Sequence, residues 1–176
     1  MVKILVLNLG STSFKIKLYE YEIELNEICS GEINNIASDH SQMSIVVNKQ
    51  LIINKSVVCK KHFRAFTMFI NSLKKIDMIE SLEDVRAICY KAVHGGTTTG
   101  TQVVDDELIN TMKKFIPLAP KHNPVYIQLI SKIKEVYPDM MQLVHFETSF
   151  HQTIPIYRAV YGIPYSCYQK DGVRRY

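Results

Sequence analysis

The opening of the chain constrains the possible fold more than any other segment. Residues 4–7 form a short apolar run, small and polar residues follow, and apolar and polar residues then alternate over residues 14–18. This pattern predicts a β-hairpin with a tight, polar turn. Gly10 allows close backbone approach, and Ser11 and Ser13 offer hydroxyls, so the turn could bind an anion. An ordinary glycine–serine turn is the alternative at this point.

The composition indicates one soluble globular domain. The chain has 176 residues, of which 47% are hydrophobic and 22% are charged. These are ordinary values for a protein with a single core. The net charge is +4, and the lysines and arginines are scattered, with a few isolated pairs and no basic stripe. We therefore expect no nucleic-acid partner. We also expect no membrane association, because no apolar run approaches the roughly 20 residues of a membrane span.

The cysteines and the N-terminus predict a cytoplasmic location. Cys29, Cys59, Cys89 and Cys167 form no C-x-x-C motif and have no histidines at zinc-binding spacing. In a chain of this size that spacing favours free thiols in a reducing compartment. The predicted first strand begins at residue 3, which leaves no room for a signal peptide.

Hydrophobic periodicity predicts an α/β fold. The early strands are expected to form an antiparallel meander, and strands and helices then alternate, which predicts a mixed sheet with flanking helices. The predicted strands cover residues 3–8, 13–21, 27–33, 43–47, 50–53, 85–93 and 141–146. The predicted helices cover residues 60–75, 105–116 and 123–137, the second capped by Asp105 or Asp106 and the third by Asn123 with Pro124 at its first position. Residues 148–176 are expected to be irregular with short elements.

Polar residues follow the predicted strands where α/β sheets bind their ligands. Asn8 follows the first strand, His94 follows the strand at 85–93, and Glu147 follows the strand at 141–146. Lys91 lies within the second of these strands, and His122 precedes a helix N-terminus that favours an anion. Taken singly, His122 is typical of a structural or capping residue and Glu147 of a surface carboxylate. Together the residues predict a cleft suited to a phosphoryl group with Mg²⁺.

Six short segments, in order along the chain, make the sequence similar to the acetate kinase family of acetate, propionate and butyrate kinases. This resemblance implies the actin/hexokinase/Hsp70-like, ribonuclease H-like fold. It also implies that residues 1–176 are a single N-terminal domain and that the C-terminal nucleotide-binding domain is absent. The matching segments are residues 8–15 (Asn-Leu-Gly-Ser-Thr-Ser-Phe-Lys), 93–96 (Val-His-Gly-Gly), 118–124 (Leu-Ala-Pro-Lys-His-Asn-Pro), 146–153 (Phe-Glu-Thr-Ser-Phe-His-Gln-Thr), 163–165 (Ile-Pro-Tyr) and 172–176 (Gly-Val-Arg-Arg-Tyr).

The resemblance implies an activity and a set of ligands. The expected reaction is transfer of the γ-phosphoryl group of ATP to a short-chain carboxylate, giving an acyl phosphate and ADP, with Mg²⁺ as cofactor. The implied partners are a small carboxylate and a nucleotide, together with either a second copy of the chain or the missing C-terminal half. The alternative is a truncated or degenerate relative that folds without turnover, and the chain alone is expected to be inactive.

The resemblance also implies a role for each candidate residue. Lys91, His122 and Glu147 are the expected catalytic residues: Lys91 for the substrate carboxylate, His122 for the transferring phosphoryl group and Glu147 for the metal or its water. The expected phosphate-binding residues are Asn8, Ser11, Ser13 and Lys15, and the expected indirect metal ligands are Asn8 and Glu147. The expected substrate pocket consists of Val93, His94 and Gly95.

Two of these positions depart from the family pattern. The family has arginine where this chain has Lys91, and an ammonium lacks the planar fork with which a guanidinium grips a carboxylate. The family has aspartate where this chain has Glu147, and the extra methylene moves the carboxylate within a metal site of strict geometry. Both changes are expected to lower activity without disturbing the fold.

Overall fold

Eight strands form one mixed sheet in the computed structural model, which describes residues 1–176. The strand order across the sheet is β5-β4-β3-β2-β1-β6-β8-β7. The strands are β1 (Val2–Leu9), β2 (Phe14–Tyr21), β3 (Leu25–Asn34), β4 (Ser41–Val47), β5 (Gln50–Val57), β6 (Val85–Ala92), β7 (Thr101–Val103) and β8 (Gln142–Phe146).

The first five strands form the predicted antiparallel meander. β1 and β2 pair without a register shift, so that Leu9 lies opposite Phe14 across the turn. Leu5, Leu7 and Ile16 are almost completely buried, whereas their neighbours along the strands are more accessible. This alternation fixes the register, because a slip of one residue would turn every apolar side chain to the other face.

The other half of the sheet is largely parallel. β6 pairs in parallel with both β1 and β8, so the carboxyl ends of all three strands lie at one edge of the sheet. β7 pairs with β8 in the antiparallel sense and forms the edge of the sheet. β7 was not predicted, because it has three residues with no alternating apolar pattern.

The three long helices are α1 (His62–Lys75), α2 (Asp106–Lys114) and α3 (Asn123–Val136). α1 and α3 contact the sheet at β2 and β6, and α2 packs on α3. Asp105 caps α2 by accepting a hydrogen bond from the Leu108 N–H. The predicted cap of α3 was wrong. His122 is the residue before the first turn, and the Asn123 side chain is buried, donating to the backbone oxygens of His94 and Met112. The Asn123 amide thus ties α3 to the segments after β6 and in α2.

The last part of the chain contains only short elements, as predicted. A 3₁₀ turn covers Glu147–His151, and two short helices follow, α4 (Ile156–Ala159) and α5 (Tyr165–Asp171). None of the five helices has the length and hydrophobicity that crossing a bilayer requires. The four cysteines are free, and burial raises the pKa of Cys29 to about 11.

Candidate active site

A cleft of about 300 Å³ lies at the carboxyl ends of β1, β6 and β8. We call this cavity the cleft. It gathers seven of the ten candidate residues, although they are spread over more than 130 positions of the chain. The cleft is lined by Asn8, Leu9, Gly10, Ser13, Lys15, Lys91, Val93, His122, Tyr126 and Glu147.

In the turn between β1 and β2, the carbonyl groups of Gly10, Thr12 and Ser13 are hydrogen-bonded within the protein. The Gly10 N–H donates to the Ser13 carbonyl at 2.9 Å, and the Ile36 N–H donates to the Thr12 carbonyl at 2.8 Å. His62 Nε2 lies 2.8 Å from the Gly10 carbonyl. Because a carbonyl oxygen only accepts, the neutral His62 ring carries its proton on Nε2. These three hydrogen bonds fix the backbone of the turn.

The amide groups of the same turn are left free. The backbone N–H groups of Ser11, Thr12 and Ser13 have no hydrogen-bond acceptor within the chain. Successive free N–H groups are donors that an anion can use, and of these three residues Ser13 lines the cleft. Gly10 leaves room for the Ser13 hydroxyl, because a Cβ there would lie 2.5 Å from Ser13 Oγ. Ser11 is exposed and its side chain does not line the cleft.

The floor of the cleft contains one ion pair. The Lys91 ammonium contacts the Glu147 carboxylate, joining the end of β6 to the residue after β8. Both side chains are about half exposed, at 47% and 43%. Lys15 is a second cation at the rim, 3.8 Å from Glu32. The half-buried Val93 supplies an apolar contact beside Lys91.

His122 brings an imidazole to the cleft from the N-terminus of α3. It is exposed, and its side chain makes no capping hydrogen bond. The ring can therefore donate to an anion. The partial positive charge at the start of a 14-residue helix favours the same ligand.

His94 and Gly95 lie next to the cleft but do not line it. His94 is buried, its Nδ1 accepts from the Gly96 N–H at 2.9 Å, and its ring stacks on Phe115 at 5.2 Å. Burial lowers the pKa of His94. Gly95 packs against Phe146, where a Cβ would lie 2.6 Å from the ring. Both residues contribute packing at the end of β6, and their expected contact with the substrate stays a prediction.

The cleft offers a partial site for magnesium. Mg²⁺ in proteins usually takes one or two carboxylates, with phosphate oxygens and water completing an octahedron. Glu147 is the single carboxylate that lines the cleft, and no three His, Cys, Asp or Glu side chains cluster anywhere in the structure. Glu147 therefore fits an indirect contribution through water, with the remaining ligands coming from a bound phosphate or another chain segment.

Two residues of the site were not found from the sequence. Tyr126 of α3 lines the cleft, and its hydroxyl contacts the end of β1. His62 supports the Gly10–Ser13 turn from the start of α1. The spacing of apolar residues in α3 places Tyr126 on the buried face, but no sequence signal pairs it with a strand more than 100 residues earlier.

A larger cavity of about 570 Å³ lies at the opposite end of β6 and β8. It lies near the last turns of α1 and α3, and Lys74, Arg86 and Met141 are among its lining residues. It contains none of the ten candidate residues. The carboxyl ends of parallel strands are where such sheets bind ligands, so the smaller cleft is the better candidate.

Comparison with known proteins identifies the family of this chain. The family model described as the acetokinase family matches residues 3–176. The acetate kinase of Clostridium novyi is 34% identical over 179 residues, which cover 99% of this chain and 44% of that protein. The acetate kinase of Sulfurovum is 35% identical over 176 residues, covering 99% of this chain and 43% of that protein. The chain thus spans less than half the length of these relatives.

Solved structures of acetate and propionate kinases also resemble this chain. The crystal structure of Porphyromonas gingivalis acetate kinase superposes with a TM-score of 0.88 at 31% identity, covering all of this chain and 45% of that one. A propionate kinase from Francisella tularensis gives a TM-score of 0.87 at 32% identity, covering all of this chain and 44% of that one. These likenesses confirm the predicted actin/hexokinase-like α/β fold. Because the family model matches every residue of this chain except the first two, the chain belongs to the acetokinase family.

Proposed function

We propose that this domain takes part in transfer of the γ-phosphoryl group of ATP to a short-chain carboxylate, giving an acyl phosphate and ADP. The observation that carries the proposal is the cleft itself. It combines the turn with free amides, the Lys91 ammonium and the His122 imidazole in a chain of the acetokinase family. We further propose that turnover needs a C-terminal half like that of the longer relatives.

The chemistry requires positioning more than proton transfer. A short-chain carboxylic acid has a pKa of about 4 to 5, so its carboxylate is already ionised at neutral pH. One carboxylate oxygen attacks the γ-phosphorus, a P–O bond forms, and the P–O bond to ADP breaks. No general base is needed. The protein contributes alignment of the two reactants and stabilisation of charge on the transferring phosphoryl oxygens.

Each group in the cleft has a proposed part in this step. The free amides of Ser11, Thr12 and Ser13 bind the phosphoryl oxygens, and His122 donates to the oxygens that carry charge during transfer. Lys91 binds the substrate carboxylate, and Val93 contacts its alkyl group. When bound, Mg²⁺ neutralises charge on the phosphate oxygens, and Glu147 would hold it through water.

The partners follow from the length comparison. The relatives are more than twice as long as this chain. We propose that nucleotide contacts beyond the phosphates come from a half like the part of the relatives that this chain does not match. We propose that this half is supplied by a further polypeptide segment, with a second copy of the chain as the alternative. A cytoplasmic location remains our prediction from the cysteine pattern.

A second candidate function is an anion-binding domain without turnover. The observation that favours it is the Lys91–Glu147 ion pair, in which the two charges proposed for substrate and metal neutralise each other. A carboxylate ligand must then compete with Glu147 for the ammonium. The two candidates differ in turnover and not in fold.

A chimera tests the proposed function. Residues 1–176 are joined to the C-terminal part of Clostridium novyi acetate kinase, and acyl phosphate formed from Mg-ATP and acetate, propionate or butyrate is trapped as the hydroxamate. A second chimera carries Lys91→Arg and Glu147→Asp, and the intact Clostridium enzyme is the control. Turnover by the first chimera supports the proposal, and the unjoined chain is expected to show none.

The remaining outcomes separate the two candidates. If only the doubly substituted chimera shows turnover, the unsubstituted chain is an anion-binding domain, and positions 91 and 147 limit its activity. No turnover in either folded chimera contradicts the proposed function.

A further inference from the structure

The hydroxyl of Tyr126 joins α3 to the end of β1. The Leu9 N–H donates to the Tyr126 oxygen at 2.9 Å, and the same oxygen lies 3.4 Å from Asn8 Oδ1. Tyr126 is only 1% exposed, and burial raises its pKa to about 12. The hydroxyl is therefore neutral and keeps its proton at any physiological pH.

The polarity of these contacts fixes the orientation of the Asn8 amide. The Tyr126 oxygen accepts from Leu9, so its own proton needs a separate acceptor, since a buried donor without a partner is costly. Asn8 Oδ1 is the one acceptor that the hydroxyl contacts. The amide is planar, so with Oδ1 facing Tyr126 its two Nδ2–H donors lie on the other side.

Asn8 lines the cleft beside the free amides of the turn. Its side chain makes no hydrogen bond other than the one with Tyr126. The Nδ2–H donors are thus available to a ligand in the cleft, whereas the oxygen that could bind a cation is engaged. An N–H donor suits an anion and opposes a metal ion.

We propose that Tyr126 is a positioning residue that holds Asn8 with its Nδ2–H donors toward the cleft, making Asn8 a phosphate donor and not a metal ligand. The identity of the anion rests on the proposed function, but the orientation of the amide does not. Under this assignment Glu147 is the group left to face a metal.

A double-mutant cycle on phosphate binding tests the coupling. Inorganic phosphate is titrated into ¹⁵N-labelled chain in buffer with a chelator, so that no divalent cation contributes. Asn8→Ala and Tyr126→Phe are each expected to weaken binding by about threefold to tenfold, the range for loss of one hydrogen bond. In the Asn8→Ala background, Tyr126→Phe is expected to add little.

Tyr90→Phe is the matched control. Tyr90 is equally buried in β6, and its hydroxyl donates to Gln142 Oε1 at 2.6 Å, without contacting the cleft. This variant is expected to lose stability but not phosphate affinity. An equal loss of affinity from Tyr90→Phe, or full additivity of the Asn8 and Tyr126 changes, would overturn the proposal. So would an Asn8→Ala variant that binds metal-free phosphate normally.

A measurement without ligand separates this proposal from the proposed function. The order parameter of the Asn8 side-chain NH₂ group is expected to be high in the unsubstituted chain and to fall in Tyr126→Phe, while backbone order in β1 is kept. If the unsubstituted chain does not bind phosphate, the proposed function fails and the side-chain order parameter alone decides on Tyr126. An unchanged order parameter in Tyr126→Phe overturns the positioning assignment.

Discussion

Lys91 and Glu147 form an ion pair across the floor of the cleft, although they are 56 positions apart in the chain. Parallel pairing brings them together, because Lys91 is in register with His145, two residues before Glu147. The pair places opposite charges where a carboxylate ligand and a metal ion are proposed to bind. Any anion that uses Lys91 must displace Glu147 or bind beside it.

Removing the Glu147 charge is therefore expected to strengthen anion binding. Glu147→Gln should raise the affinity of the chain for acetate or phosphate by about twofold to fivefold, since a half-exposed ion pair contributes only about 0.2–1 kcal/mol. Glu27→Gln, which breaks the exposed Lys17–Glu27 pair outside the cleft, is the control. Weaker anion binding in Glu147→Gln, measured by titration calorimetry, would contradict competition for Lys91.

Gly10 sets the position of the Ser13 hydroxyl. A Cβ at Gly10 would lie 2.5 Å from Ser13 Oγ, so Gly10→Ala is expected to rotate that hydroxyl and weaken phosphate binding severalfold. The serine side chain can turn away, so the loss of stability should stay below about 1 kcal/mol. Gly162→Ala, which meets no neighbouring atom, is the control. In a Ser13→Ala background the Gly10 effect should disappear, and its persistence would count against this contact.

Gly96 is expected to tolerate no side chain. Its φ is +65°, and a Cβ there would overlap the Phe115 ring. Gly96→Ala should lower the free energy of unfolding by about 2–5 kcal/mol, combining backbone strain with overpacking. Gly100 also has a positive φ, +73°, but open space around it. Gly100→Ala should therefore cost only the strain, about 1–2 kcal/mol. Equal losses in urea denaturation would show that packing against Phe115 does not matter.

His62 is expected to make stability depend on pH. Burial lowers the pKa of His62 in the folded state, so the unfolded chain binds more protons below pH of about 6.5. The free energy of unfolding should fall as the pH is lowered from 7 to 5 and stay level above that range. Buried His94 contributes in the same direction.

Glutamine at position 62 separates His62 from other groups. His62→Gln keeps an N–H donor for the Gly10 carbonyl but does not titrate, so the decline between pH 7 and 5 should become shallower. His151→Gln changes an exposed histidine and serves as the control. An unaltered pH profile in His62→Gln, followed by chemical denaturation, would rule out this contribution.

Much of the fold follows from local patterns. Apolar spacing predicted the meander, β6, β8 and the three long helices. The structure places their bounds within about four residues of those predicted. β7 gave no such signal, because its three residues are mostly exposed and pair only with β8. The cap of α3 was wrong because Asn123 has a tertiary partner, the backbone of His94, that local sequence does not reveal.

The sequence predicted the site residues that lie at the ends of strands. Asn8, Lys91 and Glu147 share the cleft because β1, β6 and β8 are parallel neighbours. His94 was expected to line the pocket, but its ring packs between Phe115 and Tyr176. The contribution of Tyr126 depends on a contact between distant segments, so only the structure could supply it.

Direct observation of phosphate in the cleft tests the central claim. Inorganic phosphate titrated into the ¹⁵N-labelled chain should shift the amide signals of Ser11, Thr12 and Ser13 in a saturable way, while signals around Lys74 and Arg86 at the larger cavity stay constant. Sodium chloride at matched ionic strength is the control. Shifts confined to surface lysines, or absent from the Gly10–Ser13 turn at saturating phosphate, would contradict a phosphate site at the carboxyl ends of β1, β6 and β8.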